Sequence, residues 1–172
     1  TIVTTSGLSA ISVTLGALVS AGDHILISDS VYGPTRTFCN QVLSRYGVTT
    51  EYYSPDIGDA IAELIQKNTR LVLMEAPGSL TFEMQDIPGI TRAAKEKGVL
   101  TVMDNTWATP VFFRPLEHGV DISIQAGTKY IAGHSDLVIG MVTSARETTH
   151  KMMVSHAQNL GDAASPDDCY LA

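Results

Sequence analysis

The sequence predicts an α/β fold in which helices cover both faces of a mainly parallel sheet. Strand-like and helix-like segments alternate along nearly the whole chain. Segments such as His24–Ser28 (HILIS) and 70–76 (RLVLMEA) are apolar along most of their length, which is typical of strands buried on both faces. No linker, repeat or low-complexity segment interrupts the pattern, so a single domain accounts for residues 1–172.

Capping residues and apolar spacing predict where the elements begin and end. Ser6 is the predicted N-cap of a first helix that ends near Ser20, and Pro34 begins a second helix that continues to about Tyr46. Further helices are predicted at 57–67, 87–97 and 146–160, with the first turn of another at 167–172. The remaining predicted strands are 49–53, 99–103, 121–125 and 138–143.

Composition excludes several classes of partner. The net charge of -7 and a pI near 5.0 leave no basic surface for nucleic acid or an anionic membrane. No apolar run reaches the roughly 18–20 residues of a membrane span. Cys39 and Cys169 lie far apart without metal-ligand spacing, so we predict no metal site and a reduced, cytoplasmic protein. Because the chain starts directly at an apolar run and stops inside a predicted helix, we expect an internal piece of a longer protein.

Polar residues follow the predicted strands where a parallel sheet binds its ligands. Glu75 and Asp104 end two apolar strands, and the segment 126–129 follows a third. Ligands of open α/β sheets bind at the carboxyl ends of the strands. We therefore expect the functional site to include these residues.

Three familiar motifs do not fit the residues at this edge. Lys129 follows Gly127-Thr128, which is not the order of a phosphate-binding P-loop. The segment 133–137 (GHSDL) lacks the second glycine of a nucleophile elbow. His150 and His156 lack the spacing and the glutamate of a zinc-binding helix.

The remaining residues form a set that suits a pyridine-aldehyde cofactor. A lysine such as Lys129 forms a Schiff base when partial desolvation makes its amine nucleophilic. Asp104 could keep a pyridine nitrogen protonated, and Ser6-Gly7-Leu8 could bind a phosphate at a helix N-terminus. Tyr32 could offer an aromatic face. Taken singly, each residue has a structural alternative: a surface lysine, an ion-paired acid, a helix cap or a packed turn aromatic.

Five segments resemble successive signatures of the Cys/Met-metabolism enzymes that depend on pyridoxal phosphate (PLP). They are SGLSAI, GDHILISDSVYGPTRTF, EAPGSLTFEMQDIP, MDNTWATP and SIQAGTKYIAGHSD, and the resemblance covers essentially the whole chain. It implies the aspartate-aminotransferase-type fold. It also implies that residues 1–172 are the PLP-binding large domain, without the N-terminal segment and the C-terminal domain.

The resemblance also implies roles for individual residues. Lys129 would carry the cofactor and move protons, Asp104 would pair with the pyridine nitrogen, and Tyr32 would stack on the ring and act as a base. Ala126 stands where many members have a phosphate-binding serine. The implied cofactor contacts are Gly7, Leu8, Tyr32, Asp104, Asn105, Thr106, Thr128 and Lys129.

Details of the motifs resemble the bacterial cystathionine β-lyase branch of the family. They are QAGTKY (125–130), PGS (77–79) after Ala76, and Trp107 after Asp104-Asn105-Thr106. The branch implies α,β-elimination of cystathionine to homocysteine, pyruvate and ammonia, in a homo-oligomer (a dimer of dimers) whose subunits share active sites. Cysteine desulfhydrases, methionine or cystathionine γ-lyases and O-acetylhomoserine sulfhydrylases remain alternatives within the family.

Two readings from other classes compete with an enzyme of this family. One is a binding protein or inert remnant built on the same scaffold, whose usual sign would be loss of Lys129 or Asp104; both are present. The other is a nucleotide-binding α/β domain, which would need a glycine-rich turn where Gly7 stands alone.

Overall fold

The computed structural model describes all residues from 1 to 172, and seven strands form one sheet. The strands are β1 Ile2–Thr4, β2 His24–Ser28, β3 Thr49–Tyr53, β4 Thr69–Glu75, β5 Leu100–Asp104, β6 Ile122–Gln125 and β7 Gly140–Ser144. The α-helices are α1 Gly7–Leu18, α2 Gly33–Gln41, α3 Ile87–Glu96, α4 Thr109–Phe112, α5 Glu147–Leu160 and α6 Pro166–Leu171. Short 3-10 helices occupy Leu43–Tyr46, Gly58–Glu63 and Pro115–His118.

The strand order is β1-β7-β6-β5-β4-β2-β3, and the predicted mainly parallel sheet is confirmed. Strands β2 to β6 pair in parallel, whereas β7 runs antiparallel to both β1 and β6. A loop without a crossover helix joins β6 to β7, which suits an antiparallel return. That loop carries Lys129 at the carboxyl edge of the sheet.

Helices cover both faces of the sheet, as predicted. On one face, α1, α2 and α5 pack on strand residues such as Ile25 and Ile27. On the other face, α3 and the 3-10 helix Gly58–Glu63 pack on residues such as Leu26 and Met74. Because successive strand residues point to opposite faces, the continuous apolar runs supply both cores. None of the helices is both long and apolar enough to cross a membrane.

Three predicted elements differ from the structure. The helix predicted at 57–67 is only the 3-10 helix Gly58–Glu63; Gly58, at φ +55°, and the shortness of the segment disfavour a regular α-helix, although Ile61 is buried as expected. The helix predicted from Pro34 to Tyr46 divides at Val42 into α2 and a tighter 3-10 turn. The strand predicted at 138–143 begins later, at Gly140.

Candidate active site

The site is built where β4 and β5 end side by side. Glu75 and Asp104 are register partners as the last residues of these strands, and each is only 8% exposed. Asp104 also pairs with Ile124 of β6 on its other side. The fold thus brings two buried carboxyl groups to neighbouring positions on one edge of the sheet.

Asp104 receives its hydrogen bonds from the loop that follows its own strand. The Thr106 backbone N–H donates to Asp104 Oδ1 at 3.0 Å, and the Thr106 hydroxyl reaches the same oxygen at 2.5 Å. Oδ1 takes both bonds, which leaves Oδ2 for a further donor. None of the five salt bridges in the chain involves Asp104 or Glu75.

The Thr106 hydroxyl joins Asp104 to the segment that carries Lys129. The Ala126 N–H donates to Thr106 Oγ1 at 2.8 Å, and the Gln125 amide donates to the Thr106 carbonyl at 3.1 Å. A turn then begins, in which the Lys129 N–H donates to the Ala126 carbonyl at 3.1 Å. The acid and the lysine singled out in the sequence therefore lie on two segments that are hydrogen-bonded to each other.

The N-terminus of α1 packs against the same segment. A Cβ added to Gly7 would lie 2.5 Å from Ala126 Cβ, so only glycine permits this approach. Ser6 is the N-cap, as predicted, and its hydroxyl accepts the Ser9 N–H at 3.0 Å. The N–H groups of Gly7 and Leu8 lie in the first turn, where a helix offers no internal acceptor. They are available to an anion beside Ala126.

Tyr32 lies at the N-cap of α2 and is joined to the strand ends through its backbone. Its N–H donates to Glu75 Oε2 at 2.8 Å, and its side chain is 42% exposed. The Ser79 hydroxyl reaches the other oxygen of the Glu75 carboxyl group at 2.5 Å. Glu75 thereby connects the loop before α2 with the loop after β4.

The two neighbouring carboxyl groups hold their protons more tightly than usual. Burial raises the pKa of Asp104, although the bonds from Thr106 oppose that shift. Burial, and then the charge of Asp104, raise the pKa of Glu75 from 4.5 to about 7, against the hydrogen bonds from Ser79 and Tyr32. Perturbed carboxyl groups of this kind are frequent at functional sites.

Lys129 departs from the expectation of a partly desolvated amine. Its side chain is exposed because it projects from a turn at the sheet edge that no element of this chain covers. Its amine takes part in none of the salt bridges of the chain.

Two further predicted cofactor contacts, Thr128 and Asn105, also have hydrogen-bond partners in this chain. The Thr128 hydroxyl donates to the Ile139 carbonyl at 3.2 Å and accepts the Ile139 N–H at 3.0 Å, so a phosphate contact would require the first bond to be exchanged. Asn105 is fully buried, and its amide donates to the Phe113 carbonyl at 2.9 Å.

Sequence reasoning noted Glu75 at a strand end but assigned it no role, and it did not find Ser79, Gln85 or Asp162. Gln85 is buried, and its amide bridges the Glu75 carbonyl at 2.6 Å and the Ser28 hydroxyl at 3.1 Å. Asp162 follows α5 and accepts the Thr5 N–H at 3.0 Å, beside the start of α1. A buried polar network is invisible in a sequence because its members come from separate loops.

No group of three or more His, Cys, Asp or Glu side chains is arranged to hold a metal ion.

The fold and this site together define an α/β protein with a buried acid, a free lysine and a helix N-terminus at the carboxyl edge of its sheet. The family model described as Cys/Met metabolism PLP-dependent enzyme matches residues 1–172. The chain therefore belongs to that family of PLP-dependent enzymes, as the resemblance of its motifs implied.

Individual relatives carry different names. The chain is 54% identical over 170 residues to a Rhizobium johnstonii protein named "Putative cystathionine beta-lyase", covering 99% of this chain and 43% of that protein. It is 42% identical over 167 residues to the L-alanine/L-glutamate racemase of Wolbachia pipientis, covering 97% and 41%. The crystal structure of metB from Corynebacterium glutamicum superimposes with a TM-score of 0.95 at 27% identity, over 98% of this chain and 44% of that one. The chain thus spans less than half the length of these relatives.

The residues present suit PLP. Buried Asp104 has no cationic partner within the chain, and a protonated pyridine nitrogen would supply one. Gly7 leaves room beside Ala126 where any side chain would collide, and the N–H groups of Gly7 and Leu8 in this first helical turn have no acceptor within the helix, as an anion site requires. Lys129 supplies a primary amine on the segment bonded to Thr106.

Proposed function

We propose that this chain is the PLP-binding large domain of a carbon–sulfur lyase that cleaves cystathionine by α,β-elimination, giving homocysteine, pyruvate and ammonia. The observation that carries the proposal is the bonded link from Asp104 through Thr106 to Ala126 and the turn of Lys129. The name of the Rhizobium relative and the branch motifs at 77–79, 104–107 and 125–130 support the choice of reaction.

The cofactor contacts are proposed as follows. PLP, when bound, supplies an aldehyde for a lysine amine and a protonated ring that withdraws electrons from the substrate Cα. Lys129 would hold the cofactor covalently, and Asp104 would accept a hydrogen bond from the ring N–H. Gly7 and Leu8 would donate their N–H groups to the phosphate. The Thr128 hydroxyl would add a further contact if it gave up its bond to the Ile139 carbonyl, and Asn105 and Thr106 would support the pocket from the loop after β5.

The catalytic roles fall to two side chains. Once the substrate amine has replaced that of Lys129 on PLP, Lys129 would remove the proton from the substrate Cα. The Cβ–S bond would then break with homocysteine as the leaving group, and water would release pyruvate and ammonia. Tyr32, exposed at the N-cap of α2, offers an aromatic face to the cofactor and accepts a proton from the incoming substrate amine. Asp104 contributes by stabilising charge in the transition state, where preorganised groups have their largest effect.

Other parts of the protein are proposed to cover this edge. Leu80 in the loop after β4 and Phe112 in α4 are 90% and 85% exposed, and both follow strands that end at the site. Exposed apolar groups at a binding edge favour contact with further protein. We propose that an N-terminal segment, a C-terminal domain and a second subunit provide it, in a cytoplasmic dimer of dimers whose subunits share active sites.

Product analysis with the complete protein tests the proposed reaction. Incubation with cystathionine should yield pyruvate as the main 2-oxo acid, because elimination from Cβ leaves a three-carbon fragment. A predominance of 2-oxobutyrate would contradict the proposal and assign γ-elimination.

Racemisation is a second candidate because one relative is named as a racemase. Removal of the Cα proton is common to both reactions, so Lys129 and Asp104 would serve either. Appearance of D-alanine from L-alanine, without pyruvate from cystathionine, would favour the racemase.

A further inference from the structure

Glu75 is the buried titratable group of this site to which the proposed reaction assigns no role. Its two oxygens are both engaged: Oε2 accepts the Tyr32 N–H at 2.8 Å, and Oε1 meets the Ser79 hydroxyl at 2.5 Å. Tyr32 and Ser79 belong to different loops, and Glu75 is the side chain that bonds to both. Its position fixes where the Tyr32 backbone lies at the start of α2.

The proposed cofactor requires a negative charge on only one of the two neighbouring acids. A pyridine ring carries a single N–H, and Asp104 Oδ2 is left free to accept it. With no lysine, arginine or histidine paired to either acid, a second negative charge on Glu75 would have no partner. Two buried like charges at adjacent positions repel strongly at low dielectric.

The hydroxyl groups beside the two acids differ in whether they are free to accept a hydrogen bond from a neutral carboxyl group. The Thr106 hydroxyl accepts the Ala126 N–H and directs its own proton to Asp104, so it is not free to accept a hydrogen bond from a neutral Asp104. The Ser79 hydroxyl donates to Glu75 Oε1 and has no other partner, so it is free to turn and accept a hydrogen bond from the O–H of a neutral Glu75. The Tyr32 N–H is satisfied by Glu75 in either state, because Oε2 remains an acceptor.

We propose that Glu75 is a positioning residue that holds Tyr32 in place as a neutral carboxylic acid, while its neighbour Asp104 carries the single negative charge. The part concerning Tyr32 rests on the proposed function of the site; the location of the proton does not. Burial raises the pKa of both acids, and the charge of Asp104 further raises the pKa of Glu75, which is the direction that this arrangement requires.

Apart from Asp104, the groups that face Glu75 carry no charge. From β5 the facing titratable group is Asp104. The loop before α2 contributes the Tyr32 N–H, and the loop after β4 contributes the hydroxyl of Ser79. Beyond them, the buried Tyr53 phenol donates to Gln85 at 2.9 Å, and burial raises its pKa further, so it stays neutral.

Infrared spectroscopy of the complete protein without PLP locates the proton directly. A protonated-carboxyl band should be present near pH 6 and should fade as the pH rises through about 7. E75Q should abolish this band. The exposed Glu63 provides the matched control, and E63Q should retain the band. D104N should also retain the band but shift its titration to lower pH, because the neighbouring charge is gone. A band that persists in E75Q and disappears in D104N would place the proton on Asp104 and overturn the proposal.

Kinetics of the PLP-loaded protein test the positioning of Tyr32. E75A should lower kcat for cystathionine by about tenfold, a size typical of a displaced catalytic group. E75Q should recover most of that loss, because its amide oxygen still accepts the Tyr32 N–H and its NH₂ still donates to Ser79. In a Tyr32→Ala background, E75A should add no further loss. Equal losses in E75A and E75Q, or additive losses with Tyr32→Ala, would remove Glu75 from this role.

The two sets of measurements separate failure of this inference from failure of the proposed function. If cystathionine is not a substrate, the infrared measurement still tests whether Glu75 carries the proton. If elimination occurs but the proton is absent from Glu75, the inference alone is wrong.

Discussion

Two aspartates at opposite edges of the sheet show how differently the two edges are built. Asp121 precedes β6 at the amino edge, where Arg146 pairs with it at 2.9 Å and the Thr101 N–H donates to it at 3.0 Å. Asp104 ends β5 at the carboxyl edge and receives bonds from Thr106, but no cation of the chain pairs with it. The amino-edge acid is neutralised within the fold, whereas the carboxyl-edge acid is not.

This difference indicates which edge of the sheet binds a ligand. A buried acid whose partner is supplied by the chain stabilises the fold, and a buried acid without one costs stability unless a ligand supplies the partner. Asp104 and Glu75 therefore mark the functional edge more clearly than exposed Lys129 does. The two edges can be compared directly by substitution.

The largest expected effect is the loss of the lysine at the carboxyl edge. K129A should lower elimination by about 10²–10⁴-fold, since it removes both covalent attachment and proton transfer. It should also abolish the visible absorption of the PLP-loaded protein and the fixation of cofactor by borohydride. K97A, which changes a lysine at the C-terminal end of α3, serves as the control. Cofactor still fixed by borohydride in K129A would place the attachment on another lysine.

The acids of the two edges should respond in opposite ways. D104N should lower kcat by about 10²–10³-fold, the range for removal of one preorganised electrostatic group, while the protein without PLP keeps its stability. D121N should lower the free energy of unfolding by about 1–3 kcal/mol because it breaks hydrogen bonds to a charged group. Its kcat should change far less than that of D104N. Denaturant unfolding and steady-state kinetics on both variants measure this contrast. A stability loss in D104N as large as that in D121N would contradict the predicted difference between the two edges.

The stability of the protein without PLP should depend on Glu75 and on pH. The folded protein keeps the proton on Glu75 to about pH 7, whereas the unfolded chain releases it near 4.5. The folded state therefore binds more protons between these values, and the free energy of unfolding should fall with rising pH by up to about 3 kcal/mol. E75Q should remove this component, and E63Q should retain it. Urea unfolding at several pH values measures the slope, and an unchanged slope in E75Q would contradict the assignment.

The smallest expected effect concerns the backbone approach at Gly7. G7A places a Cβ 2.5 Å from that of Ala126, so α1 must move and its free N–H groups with it. We expect PLP affinity to fall by about tenfold, which corresponds to the loss of roughly one charged hydrogen bond. The double substitution G7A with A126G removes one of the colliding atoms and should restore part of the affinity. Spectroscopic titration with PLP measures both, and an unchanged affinity in G7A would remove the α1 N-terminus from the phosphate site.

Much of the fold and part of the site were predictable from local sequence. Apolar runs located five of the seven strands closely, and the predicted cap at Ser6 located the start of α1. The antiparallel direction of β7 was not predicted because strand direction depends on the path of the preceding loop rather than on residue pattern. The exposure of Lys129 was missed for a related reason: desolvation is a property of what surrounds a turn, and a motif alone does not define that.

The sequence by itself determined which residues end the strands, and so which acids, which lysine and which helix start belong to the carboxyl edge. Only the tertiary structure decided that Glu75 lies beside Asp104 and bonds to the Tyr32 backbone. The physical reason is that strand order does not follow chain order: β4 pairs with both β2 and β5. That pairing brings loops distant in sequence within hydrogen-bonding distance, and burial between them changes how tightly each acid holds its proton.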